Sequence, residues 1–231
     1  MVSVNLIKRN ATISVDVTPK QVKQYATITI TVTLKDTTNN HKNNTIITDF
    51  TKVYFKLNGK ILKDSNGNII YVKVNKDGIA TYKYKIPAGT ISTDKNGKLK
   101  KYNITAILKS DYYNSNIKNS TYFNVAKSKT TIKVKKITIN KKKRLSIKAE
   151  VKDYKNNNIL QNSKISLKIN GKTYLNPKTG KVKYFSVKKG IINLSKIQLN
   201  KKINPKFVTI LFKQTKSYES SKVKVTKIVK V

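Results

Sequence analysis

The chain has 231 residues, 38% hydrophobic and 26% charged, with 13 Tyr and 6 Phe, enough apolar material for one large core or two ordinary ones. Fifty basic residues stand against 10 acids, a formal charge of +40, and only Arg9 and Arg144 are arginines, so the excess is lysine, a hydrated point cation ill suited to bidentate reading of bases. The absence of cysteine excludes disulfides and thiolate metal sites. No apolar run approaches the roughly 18 residues of a membrane helix, and the amino terminus lacks a signal-peptide pattern, so an exported protein would carry its address outside this stretch.

In chain order, residues 2–7 read as the closing strand of a preceding repeat, because VNLIKRNATISV from Val4 aligns with FNVAKSKTTIKV from Phe123. TISVDV from Thr12, TITITVTL from Thr27 and KVYFKLN from Lys52 alternate apolar with polar residues, the period of a half-buried strand. An Asn-rich stretch, TTNNHKNNT from Thr37, separates the last two. Asn58-Gly59, Asn66-Gly67, Asp77-Gly78, Asn96-Gly97 and Asn170-Gly171 punctuate the chain where tight hairpins need positive φ. No amphipathic helix is predicted.

The strands then recur. ATISVD from Ala11 matches TTIKVK from Thr130, TITVTLKDTTNN from Thr29 matches SIKAEVKDYKNNN from Ser146, and KVYFKLNGK from Lys52 matches KISLKINGK from Lys164. KDGIATYKY from Lys76 matches KKGIINLSK from Lys188, NITAILKSDYYNS from Asn103 matches FVTILFKQTKSYESS from Phe207, and TYFNV from Thr121 matches SKVKV from Ser221. The chain therefore divides into a remnant of a preceding repeat or linker at 1–9, a first domain at 10–127 and a second at 128–231, with both ends read as cuts in an array. Many short alternating strands without helices fit a two-sheet sandwich better than a barrel. The linker AKSKT from Ala126 is short and lacks Gly and Pro, which predicts restricted movement.

Alternation names the inward positions. In the first repeat these are Ile13, Val15, Ile28, Ile30, Val32, Leu34, Val53, Phe55, Ile79, Tyr82, Ile104, Ala106, Leu108, Phe123 and Val125. In the second they are Ile132, Val134, Leu145, Ile147, Ala149, Val151, Ile165, Leu167, Ile191, Leu194, Val208, Ile210, Phe212, Val223 and Val225. Tyr102 opens its strand where a hydroxyl could tie a corner of the sandwich; Lys206 stands there in the second repeat.

The opening TTIKV, the strands ending LNGK and INGK, the segment DGIATYKY, the YNITA strand and the ending SYESS together resemble the immunoglobulin-like repeats of adhesin-like surface proteins of methanogenic archaea, within the bacterial immunoglobulin-like superfamily. The resemblance covers essentially the whole chain. It implies an all-β fold of two tandem immunoglobulin-like β-sandwich domains, display outside the cell, and a non-enzymatic stalk or adhesion role with no cofactor. The Asn-rich insertion and the lysine-dominated second repeat depart from that pattern.

Motifs that carry chemistry are sparse. His41 is the only histidine and has no nucleophile or paired acid beside it, so it reads as a loop residue. Asp64, Asn66 and Asn68 begin like a calcium loop, but Gly67 is misplaced and Asn75 stands where a bidentate Glu belongs, so a hairpin turn is the reading. Asp16 and Glu150 alternate with core positions and point outward. No acid is placed inside either core, which argues against an isopeptide or ester cross-link. Asn10, Asn43, Asn103, Asn119 and Asn193 each open an N-x-Ser/Thr sequon, candidate glycosylation sites in an exported protein.

Charge is unequal: to Ser128 there are 21 basic and 7 acidic residues, and beyond it 29 and 3. Lys133, Lys135, Lys141, Lys142, Lys143, Arg144, Lys181 and Lys183 are the candidate polyanion-binding set of the second repeat. Two readings stand, a solvated face or a contact for wall glycans and other polyanions. The partners implied are cell-surface or cell-wall glycans, a partner-cell surface and neighbouring repeats of the same chain, with no specific nucleic-acid recognition and no membrane span.

Overall fold

The computed structural model describes residues 7–38 and 46–231, so His41 and Asn43 lie outside the described residues. The chain forms two compact units, one made of Met1–Ile86 and Leu99–Val125, the other of Pro87–Lys98 and Ala126–Val231. Among the described residues all regular structure is β, and each unit is an immunoglobulin-like sandwich of two sheets.

In the first unit the strands are β1 (Ala11–Thr18), β2 (Gln21–Val22), β3 (Thr27–Asp36), β4 (Lys52–Leu57), β5 (Lys60–Ile61), β6 (Tyr71–Lys73), β7 (Ile79–Lys85), β8 (Lys101–Lys109) and β9 (Lys118–Val125). One sheet has the order β1-β3-β7; the other runs β2-β9-β8-β4-β5, with β6 also on β4. Strict alternation in β3 sends Ile28, Ile30, Val32 and Leu34 inward and leaves Thr27, Thr29, Thr31 and Thr33 on the outer face. They meet Val53, Phe55, Ile104, Ala106 and Phe123 of the facing sheet. Phe55 stacks on Tyr82 with ring centroids 5.6 Å apart, joining β4 to β7 across the core. Pro19 has no N–H to give the ladder, so β1 ends there and the chain changes sheet, where β2 pairs in parallel with Asn124 and Val125.

The second unit repeats the plan with β10 (Thr130–Ile139), β11 (Arg144–Asp153), β12 (Ser163–Ile169), β13 (Lys172–Thr173), β14 (Phe185–Val187), β15 (Ile191–Gln198), β16 (Val208–Phe212), β17 (Ser221–Val225) and β18 (Val229–Lys230). Its sheets run β15-β11-β10-β18 and β13-β12-β16-β17, with β14 on β12. No proline interrupts β10, which stays in one sheet for its whole length and absorbs the change of direction in a bulge at Val134–Lys136.

Two inward assignments fail, both at the same place. Ile79 is only half-buried and Ile191 is 44% exposed, while Ala80 and Ile192 take the core positions. Register explains it: Ile79 lies opposite the outward Thr33 and Ala80 opposite the inward Val32, just as Ile191 lies opposite Glu150 and Ile192 opposite Ala149. The glycine before each sets that register. Gly78 and Gly190 take φ of +76° and +78°, and an added Cβ would fall 2.4 Å from the Leu34 carbonyl oxygen and 2.7 Å from that of Val151.

One loop design recurs. At Asp64–Asn68, Asn75–Ile79, Asp94–Lys98, Asn140–Arg144 and Asp153–Asn157 the first residue hydrogen-bonds through its main chain to the fifth, and its Oδ1 accepts the N–H of the fifth. The fourth residue has positive φ; it is Gly67, Gly78 and Gly97 in the first three, Lys143 and Asn156 in the last two.

Candidate interaction surfaces

The eight basic candidates of the second repeat do not converge on one face. Lys133 and Lys135 are exposed on β10 in the four-stranded sheet. Lys141, Lys142, Lys143 and Arg144 crowd the turn between β10 and β11, at that sheet's end. Lys181 and Lys183 sit in the hairpin between β13 and β14, which belongs to the opposite sheet, with the Lys183 N–H donated to the Tyr174 carbonyl at 3.1 Å. Glu150 answers part of the first pair: Lys135 reaches one of its oxygens and Lys152 the other at 3.1 Å, and these ammonium groups, Lys135 first, hold its carboxyl below the usual range. Lys136 faces Lys148 directly across the ladder. Lys141 and Lys143 line a hollow of about 370 Å³ with Ile139, Asn140, Asn204 and Lys230.

The calcium-like segment is a turn. Oδ1 of Asp64 accepts the N–H groups of Asn66 and Asn68, both at 2.9 Å, and these donors, Asn68 first, lower its pKa. Of the sequons, Asn10, Asn103, Asn119 and Asn193 are exposed. The Asn119 amide donates to the Ile13 carbonyl at 2.9 Å, and the Asn10 Oδ1 accepts the Asn114 amide at 2.6 Å, so both are already engaged.

Sequence reasoning missed the polar groups that close one end of each unit, and its placement of every acid outside the cores is corrected here. Asp36 is fully buried and Asp153 is 2% exposed. In the first unit the Arg9 Nε donates to Asp36 Oδ2 at 2.6 Å, the Tyr113 hydroxyl donates to the same oxygen at 2.9 Å, and the Ile47 N–H donates to the Tyr113 hydroxyl at 2.9 Å. Burial alone would raise the Asp36 carboxyl; the Thr38 N–H, Arg9 and Tyr113 outweigh it and bring it down to about 2. Burial likewise raises Tyr113. Because the cation beside Asp36 is an arginine, this carboxylate is an ion-pair partner, not the neighbour of a lysine nucleophile.

The second unit repeats the arrangement. Asp153 Oδ1 accepts the N–H groups of Lys155 at 2.9 Å and Asn157 at 3.0 Å, and the Leu160 N–H points to the Tyr218 hydroxyl at 3.4 Å. Arg9 forms a parallel bridge with Tyr113, and Ser128 forms the same bridge with Tyr218, so Ser128 occupies the arginine's place. Its buried Oγ has no partner among the described residues. Tyr102 is buried and stacks on Phe123 at 5.4 Å, and the hydroxyls of Tyr113 and Tyr218 also meet loop N–H groups near the sandwich ends.

Above this closure the two units differ. In the second, the backbone N–H groups of Ser92 and Thr93 both donate to the Lys216 carbonyl, at 3.0 and 3.1 Å, and the Ser217 hydroxyl donates to the Gly89 carbonyl at 3.2 Å. Ser217 is thereby wholly buried. In the first, Ile7, Lys8, Arg9, Phe50, Asp111 and Tyr112 line a hollow of about 640 Å³, with Ile7 91% and Phe50 72% exposed.

No family model matches the chain, and no curated protein matches it. Among solved structures it is similar to domains A168-A170 of titin, at 11% identity and a TM-score of 0.49 over 96% of this chain and 66% of that one. It is also similar to the titin tandem A164-A165 (10%, 0.40, 96% and 98%) and to the Yersinia pseudotuberculosis adhesin InvE (14%, 0.45, 93% and 58%). These are likenesses of fold and reach no further.

Proposed function

We propose that the chain is a non-enzymatic stalk or adhesion module of an extracellular, adhesin-like surface protein, in which sandwiches of this kind follow one another and project or attach a binding surface. The repeats at 10–127 and 128–231 are the elements of that array. The observation that carries the reading is the duplication itself: each unit builds its own core and buries an Asp and a Tyr at corresponding places near one end. Repetition of a self-sufficient module serves length and mechanical continuity, whereas an enzyme needs one differentiated site.

A second reading, a dedicated polyanion or carbohydrate binder, is favoured by the lysine-rich turn at Lys141–Arg144 and its hollow with Lys230. Binding to immobilised wall polysaccharide, heparin and duplex DNA at about 50 and about 300 mM salt separates the two. Weak attachment to all three that vanishes at the higher salt fits a charged stalk. Selective, saturable attachment to one glycan that survives it, and falls on Lys141→Ala with Lys143→Ala, would replace the stalk by a dedicated binder.

A further inference from the structure

We propose that the hollow at the Arg9 end of the first unit is a docking surface for a preceding repeat of this same kind, which lays a turn-containing connection like Pro87–Lys98 across it. The proposal rests on the tandem-array reading and adds to it the residues that join one repeat to the next.

The second unit supplies the template, because there the corresponding surface is covered. Equivalent positions are fixed by hydrogen bonds. The Arg9 N–H donates to the Tyr112 carbonyl as the Ser128 N–H donates to that of Ser217, both at 2.9 Å. The Ile47 N–H meets the Tyr113 hydroxyl as the Leu160 N–H meets that of Tyr218. Asp111, Tyr112 and Ile47 therefore stand where Lys216, Ser217 and Leu160 stand. On that second set lies Pro87–Lys98: two consecutive N–H groups on the Lys216 carbonyl, the Gly89 carbonyl on the Ser217 hydroxyl, and Gly89 so close to Leu160 that an added Cβ would lie 3.4 Å from its Cδ1.

On the first unit the same place shows what a covered surface shows when its cover is removed. Ile7, Phe50 and Tyr112 expose large apolar area around one hollow, an arrangement water does not favour. Arg9 also lines it, its side chain 22% exposed. A guanidinium at the edge of a hollow is a ready donor to a carbonyl oxygen. The backbone of such a connection meets both needs: its carbonyl accepts from Arg9, its successive N–H groups reach the Asp111 carbonyl as those of Ser92 and Thr93 reach Lys216, and an aliphatic side chain covers Ile7 and Phe50. The occupant must carry the long form of the connection. The first repeat's own connection, between β7 and β8, spans residues 86–100, while that between β15 and β16 spans only 199–207.

The test exploits the absence of cysteine. A three-repeat chain is made by placing a copy of residues 10–125 ahead of this chain, with Val125 followed by Ile7 as it is naturally followed by Ala126. Tyr112→Cys, and separately Phe50→Cys, is then labelled with a maleimide under native conditions. Labelling is expected to be about tenfold slower or more in the three-repeat chain than in the two-repeat chain, and to recover when the added copy's 86–100 connection is cut to the length of 199–207. In the two-repeat chain, Ser217→Cys should label slowly and become fast when its own 86–100 connection is shortened. Equal rates in the two- and three-repeat chains overturn the proposal. So does protection that persists after shortening, or rapid labelling of Ser217→Cys in the intact chain. None of these outcomes depends on glycan binding, so docking can fail while the stalk reading stands.

Discussion

The first unit closes its end with Arg9, Asp36 and Tyr113, while the second does so with Ser128, Asp153 and Tyr218, on the same backbone bridges. What persists is an acid buried at the end of the second long strand and a tyrosine hydroxyl that meets the N–H of a loop. What changes is the cation. Both units therefore share a buried acid and a tyrosine hydroxyl met by a loop N–H, and in the first an arginine ion pair is added where Arg9 also borders the open hollow. Removing a member from each unit measures how much that addition contributes.

The largest effect is expected for Asp36→Ala. It strips the carboxylate from a largely buried guanidinium, and breaking such a pair costs about 3–5 kcal/mol. Asp153→Ala instead leaves the Lys155 and Asn157 N–H groups without their acceptor, at about 1–3 kcal/mol. Amide exchange read separately in each unit checks both; equal losses would mean that Arg9 adds nothing. Arg9→Ser gives the first unit the second unit's residue and should cost about 1.5–3 kcal/mol, the range of a hydrogen bond to a charged group.

Acid sharpens the same contrast. The folded-state pKa of Asp36 lies at about 2, below its ordinary 3.8, so its contribution is fully present above about pH 4 and is lost as pH falls through about 2. Melting of the first unit should fall across that window, and Asp36→Asn should remove that component of the pH dependence. A wild-type profile unchanged by Asp36→Asn would contradict the assigned ion pair.

Most of the fold was legible because alternation in β3, β11 and β16 is strict and the repeat places each strand twice. The errors at Ile79 and Ile191 came from counting alternation across a glycine whose close approach to the neighbouring strand resets the register. The end closure was written in the alignment but not read. Asp36 and Asp153 fall in the matched LKD and VKD, and Tyr113 and Tyr218 in the matched YYNS and SYES. With only 10 acids, one recurring at the same strand end is a signal of burial that outward-pointing charge would not give. The dispersal of the lysines was not legible, because the strand period gives a side chain's face but not which sheet holds its strand.

A smaller difference lies in the turns. Gly67, Gly78 and Gly97 occupy the left-handed fourth position in the first three Asx loops, whereas Lys143, with φ of +56°, and Asn156 occupy it in the last two. A left-handed lysine carries strain of about 1–2 kcal/mol, offset in part by the chain entropy that glycine loses on folding. Lys143→Gly should therefore stabilise the second unit by about 0.5–1 kcal/mol in denaturant melts. Destabilisation would show that the lysine side chain, not the turn, holds Asn140–Arg144 in place.

The smallest effect tests charge. Lys136 and Lys148 are opposite one another on β10 and β11, and like charges so placed cost about 0.2–1 kcal/mol. Nearby, the Glu150 carboxylate is already engaged by Lys135 and Lys152. The second unit should melt higher at about 300 mM salt than at about 20 mM, because screening relieves such pairs. Lys136→Glu replaces the repulsion with an attraction to Lys148 and should remove part of that salt response while raising the low-salt melting point. An unchanged response would place the repulsion elsewhere, among the exposed lysines of the Lys141–Arg144 turn, and Lys142→Glu would then be the substitution that moves it.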